Sequence, residues 1–280
     1  LKYRLLALDV DGTLIGPCGQ VPAGVIEAIG RANRAGLKVV LATGRSYIET
    51  IGVWRQLGLC LPGHPIVLVG GALVSETDTA RTLWHQPIPK DLAQSFAEAL
   101  AEHGYCAMGI LDSWRCGLEY VLFDLADSKS APREWFSRMD VSVRTLRRLD
   151  EAPELPSPLR LSTVVEPGKA SELAGELSRR FAGKLRIHPI FAPNYGLTIV
   201  EAFAARTDKL SAVSYVAQGW RIPMSAVVAV GDDINDVSML SSAGFGVAMA
   251  HGSACALDSA KHVTADLAGL IGDILEGRLG

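Results

Sequence analysis

The sequence predicts an α/β fold: a doubly wound, Rossmann-like core of parallel strands with an inserted mixed α/β domain. Two observations carry this. Short apolar runs alternate with helical patterns in both the first and the last parts of the chain, as in parallel strands joined by right-handed crossovers. Between them, from about Leu83 to Glu201, strand-like pieces outnumber helical ones and the alternation is lost. The core is therefore expected at 1–82 and 202–280, discontinuous around a second domain at 83–201.

Leu5 to Val10 is a near-continuous apolar run, the mark of a strand buried on both faces. Pro22 opens a helical pattern that reaches Ala35; Val25, Ile26, Ile29 and Ala32 share a face, and Gly36 supplies the stop. Lys38 to Ala42 reads as the next strand, Ser46 to Leu57 as a helix, and Ile66 to Val69 as a third strand. In the insertion, Cys106 to Leu111, Glu119 to Phe123, Arg160 to Val165, Leu185 to Ile190 and Leu197 to Val200 read as strands. Asp91 to His103 and Lys169 to Phe181 read as helices, giving an open sheet with helices on one face. Pro153, Pro156 and Pro158 mark a stiff connection between them. The alternation then resumes: helix Asp208 to Gln218, strand Ala226 to Val230, helix Ile234 to Ser241, strand Phe245 to Ala248.

Bulk properties narrow the function classes. The 280 residues are 49% hydrophobic and 20% charged, ordinary for a globular chain. Lys and Arg number 27 against 30 Asp and Glu, a net charge of -3, with no basic stripe for nucleic acid or an anionic membrane surface. Apolar runs such as Ala226 to Val230 are far too short to span a bilayer. Leu1 to Leu5 leads straight into a strand, so no signal peptide is expected, and a cytoplasmic location is. The 5 cysteines are scattered without a C-x-x-C pair, which argues for a reducing compartment and against a disulfide framework or zinc site. Oligomeric state is not legible.

The chemistry lies in segments far apart in sequence. Asp9-Val10-Asp11-Gly12-Thr13-Leu14 follows the first strand. A carboxylate at a strand end can attack phosphorus, and a second one two positions on can protonate the leaving oxygen and then deprotonate water. Asp-Gly is also a common turn; a calcium loop fails, because the glycine falls too early and no Glu holds the twelfth position. Thr43-Gly44-Arg45 precedes a helix, where backbone N–H groups and a Thr hydroxyl suit a phosphoryl oxygen and Arg45 suits phosphate or substrate. The plain alternative is a helix cap with a solvent-facing Arg. Lys209, near the start of a helix, reads in isolation as a solvated lysine. In Gly231 to Asp236, Asp232 and Asp236 lie four apart across a strand-to-helix turn, so both can face one point, with oxygens of the kind Mg²⁺ prefers. Capping by Asp232 or Asp233 and a helix-dipole role for Asp236 explain one acid at a time, not the cluster.

With these motifs in this order, the chain resembles the haloacid dehalogenase superfamily of phosphohydrolases, and within it the Cof-type sugar-phosphatase branch, whose cap domain is inserted between the second and third motifs. The resemblance runs the whole length and includes the strand Phe245 to Met249. It implies Asp9 as nucleophile, Asp11 as general acid/base, and Thr43 and Lys209 as phosphate binders, with Asn235 supporting the phosphate side. It implies Mg²⁺ on Asp9, the Asp11 carbonyl and Asp232, with Asp236 a close or water-mediated partner. The chain departs from the pattern at Gly70-Gly71-Ala72 (usually Asn-Gly-Ala), at Leu210 after Lys209 (usually Gly), and at Ala250-His251 (usually Asn-Ala).

The expected function is thus a Mg²⁺-dependent phosphomonoesterase for a small phosphorylated metabolite such as a sugar or polyol phosphate. A phosphomannomutase-like phosphomutase is the alternative enzyme, and would need a second phosphate patch; Arg115, Arg144, Arg147 and Arg148 are its candidates. A non-catalytic phosphate-ligand binding protein is the alternative outside enzymes. Trp114, Arg115, His188, Asn194 and Tyr195 lie near turns of the insertion and are candidate readers of the leaving group.

Overall fold

The structure is a computed structural model and describes residues 1–16, 18–125, 136, 141–192 and 196–279. Asn194 and Tyr195 lie outside the described residues. The chain forms two compact units, Leu1–Leu83 with Asp208–Gly280, and Trp84–Thr207. The first unit opens with β1 (Leu5–Leu8), β2 (Lys38–Leu41), β3 (Pro65–Leu68) and β4 (Leu73–Glu76), and β5 (Thr82–His85) crosses the boundary. The second holds β6 (Ala107–Ile110), β7 (Tyr120–Phe123), β8 (Val143–Leu146), β9 (Arg160–Val165), β10 (Leu185–Ala192) and β11 (Leu197–Ala204). The chain returns to the first unit as β12 (Val227–Gly231), β13 (Phe245–Met249) and β14 (His262–Thr264).

The core sheet runs β14-β13-β12-β1-β2, and every pairing in it is parallel, the α/β class that the alternation implies. Leu8 pairs with Val230 on one side and Leu41 on the other, so β1 is central and its four residues are wholly buried. Helix Ala23–Arg34 buries Val25, Ala28, Ile29 and Ala32; Ile26 sits at the margin of that face rather than within it. The third strand ends one residue earlier than the apolar run suggests. Val69, Gly70 and Gly71 have φ of 50, 62 and 94°, which turns the chain back so that β3 pairs antiparallel with β4. An isolated parallel bridge, Ala42 to Val67, joins β3 to the residue after β2, and Thr43 N–H donates to the Val67 carbonyl at 3.0 Å. A positive φ at a β-branched residue such as Val69 is strained; its N–H is held by the Arg45 carbonyl at 2.9 Å.

The second unit is a six-stranded sheet, β10-β11-β9-β6-β7-β8, antiparallel except between β7 and β8. Helices Lys90–Glu102 and Ala170–Arg180 share one apolar cluster with Val121, Phe123, Leu161 and Val200, so both cover the same face. Phe96 meets Phe181 edge-on at 5.5 Å within it. The opposite face carries a smaller apolar group around Met108, Leu122 and Ile199. A buried polar cluster also lies in this unit: Glu201 stands 3.2 Å from Arg160 and 2.9 Å from His188. No described helix is long and apolar enough to cross a membrane.

Candidate active site

Asp9, Thr43 and Asp232 each leave the C-terminal end of one of three neighbouring parallel strands, β1, β2 and β12, which is where open α/β sheets place their chemistry. Main-chain bonds carry the register to those ends: Asp9 N–H donates to the Val230 carbonyl at 2.9 Å and Ala42 N–H to Leu8 at 2.8 Å. Gly12 then turns with φ 80°. A Cβ on Gly12 would lie 2.3 Å from Asp232 Oδ2, so the missing side chain is what lets the two acid-bearing loops touch. The Thr13 hydroxyl closes that contact, donating to Asp232 Oδ1 at 3.2 Å.

Lys209 is not solvated. It is fully buried, and its ammonium donates to Asp9 Oδ1 at 2.6 Å and Asp236 Oδ1 at 2.7 Å. Asp208 caps the helix Lys209–Gly219 by accepting from Ser211 N–H, which pins the lysine at the first turn. The other oxygen of Asp236 accepts from the backbone N–H groups of Asp232 (3.0 Å) and Asp233 (3.2 Å). Asp236 therefore braces both the lysine and the loop that carries Asp232. Asp233 does fill the plain capping role, accepting from Ile234 N–H at 2.7 Å. Asn235 lies in the same short turn, and its Oδ1 is buried with no hydrogen-bond partner, an acceptor left for a ligand's proton or a water.

Arg45 engages an acid rather than solvent. Its Nη2 and Nε donate to the two carboxylate oxygens of Asp11 at 2.5 and 2.7 Å, a fork-to-fork pair. Thr43 is buried; its hydroxyl oxygen accepts from Arg45 N–H at 3.2 Å, which leaves the hydroxyl proton for another acceptor. Gly44 forms the bend between them. The helix that follows, Tyr47–Gln56, begins at Ser46, whose N–H is taken by its own capping partner Glu49 at 2.9 Å. The Ser46 N–H at this helix start is therefore already satisfied, whereas the Thr43 hydroxyl proton points to no partner within its own loop.

Three carboxylates crowd one ammonium. Burial pushes the Asp9 carboxyl well above the usual range, Asp236 and Asp232 push it further, and Lys209 only partly opposes them. Asp232 is raised for the same reasons, burial first and then Asp236. Burial alone would lower Lys209, yet Asp236 and Asp9 more than offset it, and the ammonium stays charged. The arrangement lacks positive charge. One ligand oxygen each from Asp9, Asp232 and Asp236 lies within 4.8 Å of the others, an all-oxygen set that fits a hard divalent cation.

Two participants were invisible as such in the sequence. His251 stands out there only as a departure from a family pattern, yet its Nε2 is 2.7 Å from the Gly12 carbonyl. Ser253 carries no motif, yet its N–H donates to the Asp232 carbonyl at 2.8 Å. Of the candidate readers in the second unit, Trp114 is exposed, Arg115 pairs with buried Asp112 at 3.2 Å, and His188 pairs with Glu201. None of the 5 cysteines is in a disulfide among the described residues.

Residues 6–268 match the family model for haloacid dehalogenase-like hydrolases. The chain is 28% identical over 269 residues to the pyridoxal phosphate phosphatase YbhA of Escherichia coli, covering 89% of this chain and 88% of that one. It is 26% identical over 265 residues to the phosphatase YwpJ of Bacillus subtilis, covering 88% and 89%. A solved haloacid dehalogenase-like hydrolase from Bacteroides thetaiotaomicron superposes with TM-score 0.77 at 22% identity over 97% of this chain and 99% of that one, a likeness of fold.

Proposed function

The chain belongs to the haloacid dehalogenase-like hydrolase family, and from that premise we propose that it is a Mg²⁺-dependent phosphomonoesterase acting on a small phosphorylated metabolite, a sugar or polyol phosphate. The observation that carries the reading is the buried Lys209 shared between Asp9 and Asp236. A lysine so placed opposes the pressure of burial and of the acidic neighbours on Asp9, and so favours the ionised state that a nucleophile needs. Named phosphatases among the relatives support the reaction class.

In the proposed course an Asp9 oxygen attacks phosphorus while the bond to the leaving oxygen breaks, and Asp11 gives that oxygen a proton. Asp11 then takes a proton from water, whose oxygen attacks phosphorus, and the Asp9 carboxylate leaves with its electron pair. Arg45 holds the ionised Asp11 by both oxygens; when Asp11 carries the proton, one of these contacts is released while the other keeps the carboxyl in place. The Thr43 hydroxyl, the remaining N–H of Lys209 and the side-chain N–H of Asn235 are proposed to hold the phosphoryl oxygens. Mg²⁺, when bound, offsets the negative charge of phosphate and carboxylates; Asp9, the Asp11 carbonyl and Asp232 would hold it, with Asp236 at one remove because both its oxygens already brace other groups. The inserted domain at 83–201 is proposed as the cap that selects the leaving group.

Hydrolysis is favoured over phosphoryl transfer to a second sugar because three of the four basic candidates are engaged: Arg115 with Asp112, Arg144 with Glu154 and Arg148 with Asp150. The test is phosphate release from an aryl phosphate and a panel of sugar phosphates, with Mg²⁺ and with EDTA. The reading requires release that chelation abolishes and Mg²⁺ restores, with a hexose 6-phosphate giving inorganic phosphate. A hexose 1-phosphate as the dominant early product, or full activity after exhaustive chelation, overturns it.

A further inference from the structure

We propose that His251 is a positioning residue that joins the nucleophile loop to the metal loop, an inference that rests on the Mg²⁺-phosphatase reading above. The loop Ala250–Ser253 follows β13 and is pinned at both ends. Ala250 N–H donates to the Thr264 carbonyl and Gly252 N–H to the Met249 carbonyl, each at 2.8 Å. From that anchored base it reaches two ways. Toward β12, Ser253 N–H donates to the Asp232 carbonyl at 2.8 Å and its hydroxyl to the same oxygen at 3.3 Å. Toward β1, His251 Nε2 meets the Gly12 carbonyl at 2.7 Å.

The Gly12 carbonyl is a telling place to hold. Gly12 turns with φ 80° and no side chain, so it is the most deformable residue of the nucleophile loop. The peptide on its other side is that of the Asp11 carbonyl, which the reading above assigns to the metal. Its own packing against Asp232 leaves no room for even a methyl group: a Cβ would stand 2.3 Å from Asp232 Oδ2. Gly252 also packs closely on the same loop, where a Cβ would stand 2.7 Å from the Asp232 carbonyl. His251 therefore completes a closed ring of contacts: Gly12 to Asp232, Asp232 to Ser253, and His251 back to Gly12. With the ring closed, the Asp11 carbonyl and the Asp232 carboxylate keep one mutual distance, which is what a cation with strict geometry demands. A carbonyl only accepts, so Nε2 carries the proton, in the neutral ring or the charged one.

The experiment compares wild type, His251→Ala and His251→Gln, the last keeping an amide donor of similar reach. Mg²⁺ affinity is read by calorimetry on the chelator-treated full chain, beside kcat, KM and Tm. Loss of an outer contact of this kind weakens metal binding about 10-fold. The expected result is that loss for His251→Ala with KM for substrate little changed and Tm lowered by no more than a few degrees, and substantial recovery for His251→Gln. Equal Mg²⁺ affinity in wild type and both variants overturns this inference alone. A wild-type chain that binds no Mg²⁺ overturns the metal reading and this inference with it.

Discussion

Asp11 is held by Arg45 through Nη2 and Nε, at 2.5 and 2.7 Å, with the pair only partly exposed. Two N–H groups in a rigid fork fix the plane of the carboxylate as well as its place, which a point-charged ammonium does not. Arg45→Ala is expected to lower kcat on an aryl phosphate by about 10²-fold, since a misplaced proton donor is that costly. Arg45→Lys should recover only a minor part. Wild-type kcat in Arg45→Lys would show that the fork does not matter.

Lys209 offsets two buried acids at once, Asp9 and Asp236. Removing one member of a buried ionic group leaves charge uncompensated and destabilises by about 3–5 kcal/mol. Lys209→Met should therefore lower Tm by roughly 10 °C as well as abolish turnover. Saturating Mg²⁺ should restore part of the Tm, since a cation relieves the same repulsion. An unchanged Tm in the apo variant would contradict the electrostatic account.

Gly71 has φ 94° and presses on the start of the lysine's helix: a Cβ there would fall 2.0 Å from the Asp208 carbonyl and 2.8 Å from Lys209 N. Gly71→Ala has no way to fit without moving Lys209. Activity should fall by about 10²-fold in a chain that still folds, as judged by circular dichroism. Unimpaired activity would mean that the turn yields without disturbing the lysine.

Glu201 supplies the pH dependence. Burial raises its carboxyl, but the hydrogen bond from His188 and the charge of Arg160 outweigh that, and the net direction is down from 4.5. A lowered folded value means that the charged form is favoured by folding. Its stabilisation is complete above about pH 4.5, the usual glutamate value, and fades as pH falls through the lowered folded value. Glu201→Gln should cost about 3 kcal/mol at pH 7, because Arg160 loses its buried partner. The gap to wild type should shrink steadily below pH 4.5 in denaturant titrations. A gap independent of pH would place the stabilisation elsewhere.

The core was legible because its strands, β1, β2, β12 and β13, are short apolar runs that end in polar motifs, and parallel strands buried on both faces leave that pattern. The hairpin of β3 and β4 was not. It depends on three successive positive φ values at Val69, Gly70 and Gly71, and valine gives no sign of such a turn. Gly70 sits at φ 62°, a conformation glycine tolerates. The last strand, His262–Thr264, is polar at both ends and mostly exposed, so no apolar run marks it. At the site, the acids announced themselves by crowding. What they bond to did not. The Asp11–Arg45 pair spans 34 positions and the Gly12–His251 contact 239, and neither residue's type foretells so distant a partner.

The central claim is that Asp9 carries the phosphoryl group, and trapping it there tests this most directly. Given an aryl phosphate, whose leaving group needs no proton, the Asp11→Asn variant should transfer the phosphoryl group to Asp9 but fail to activate water, so acid quench and mass spectrometry of its peptides should find one phosphoryl group on Asp9. Asp9→Asn should show none and should turn over at least ~10³-fold more slowly than wild type while remaining folded. A pure, folded Asp9→Asn protein that hydrolyses substrate at a near-normal rate would contradict the account.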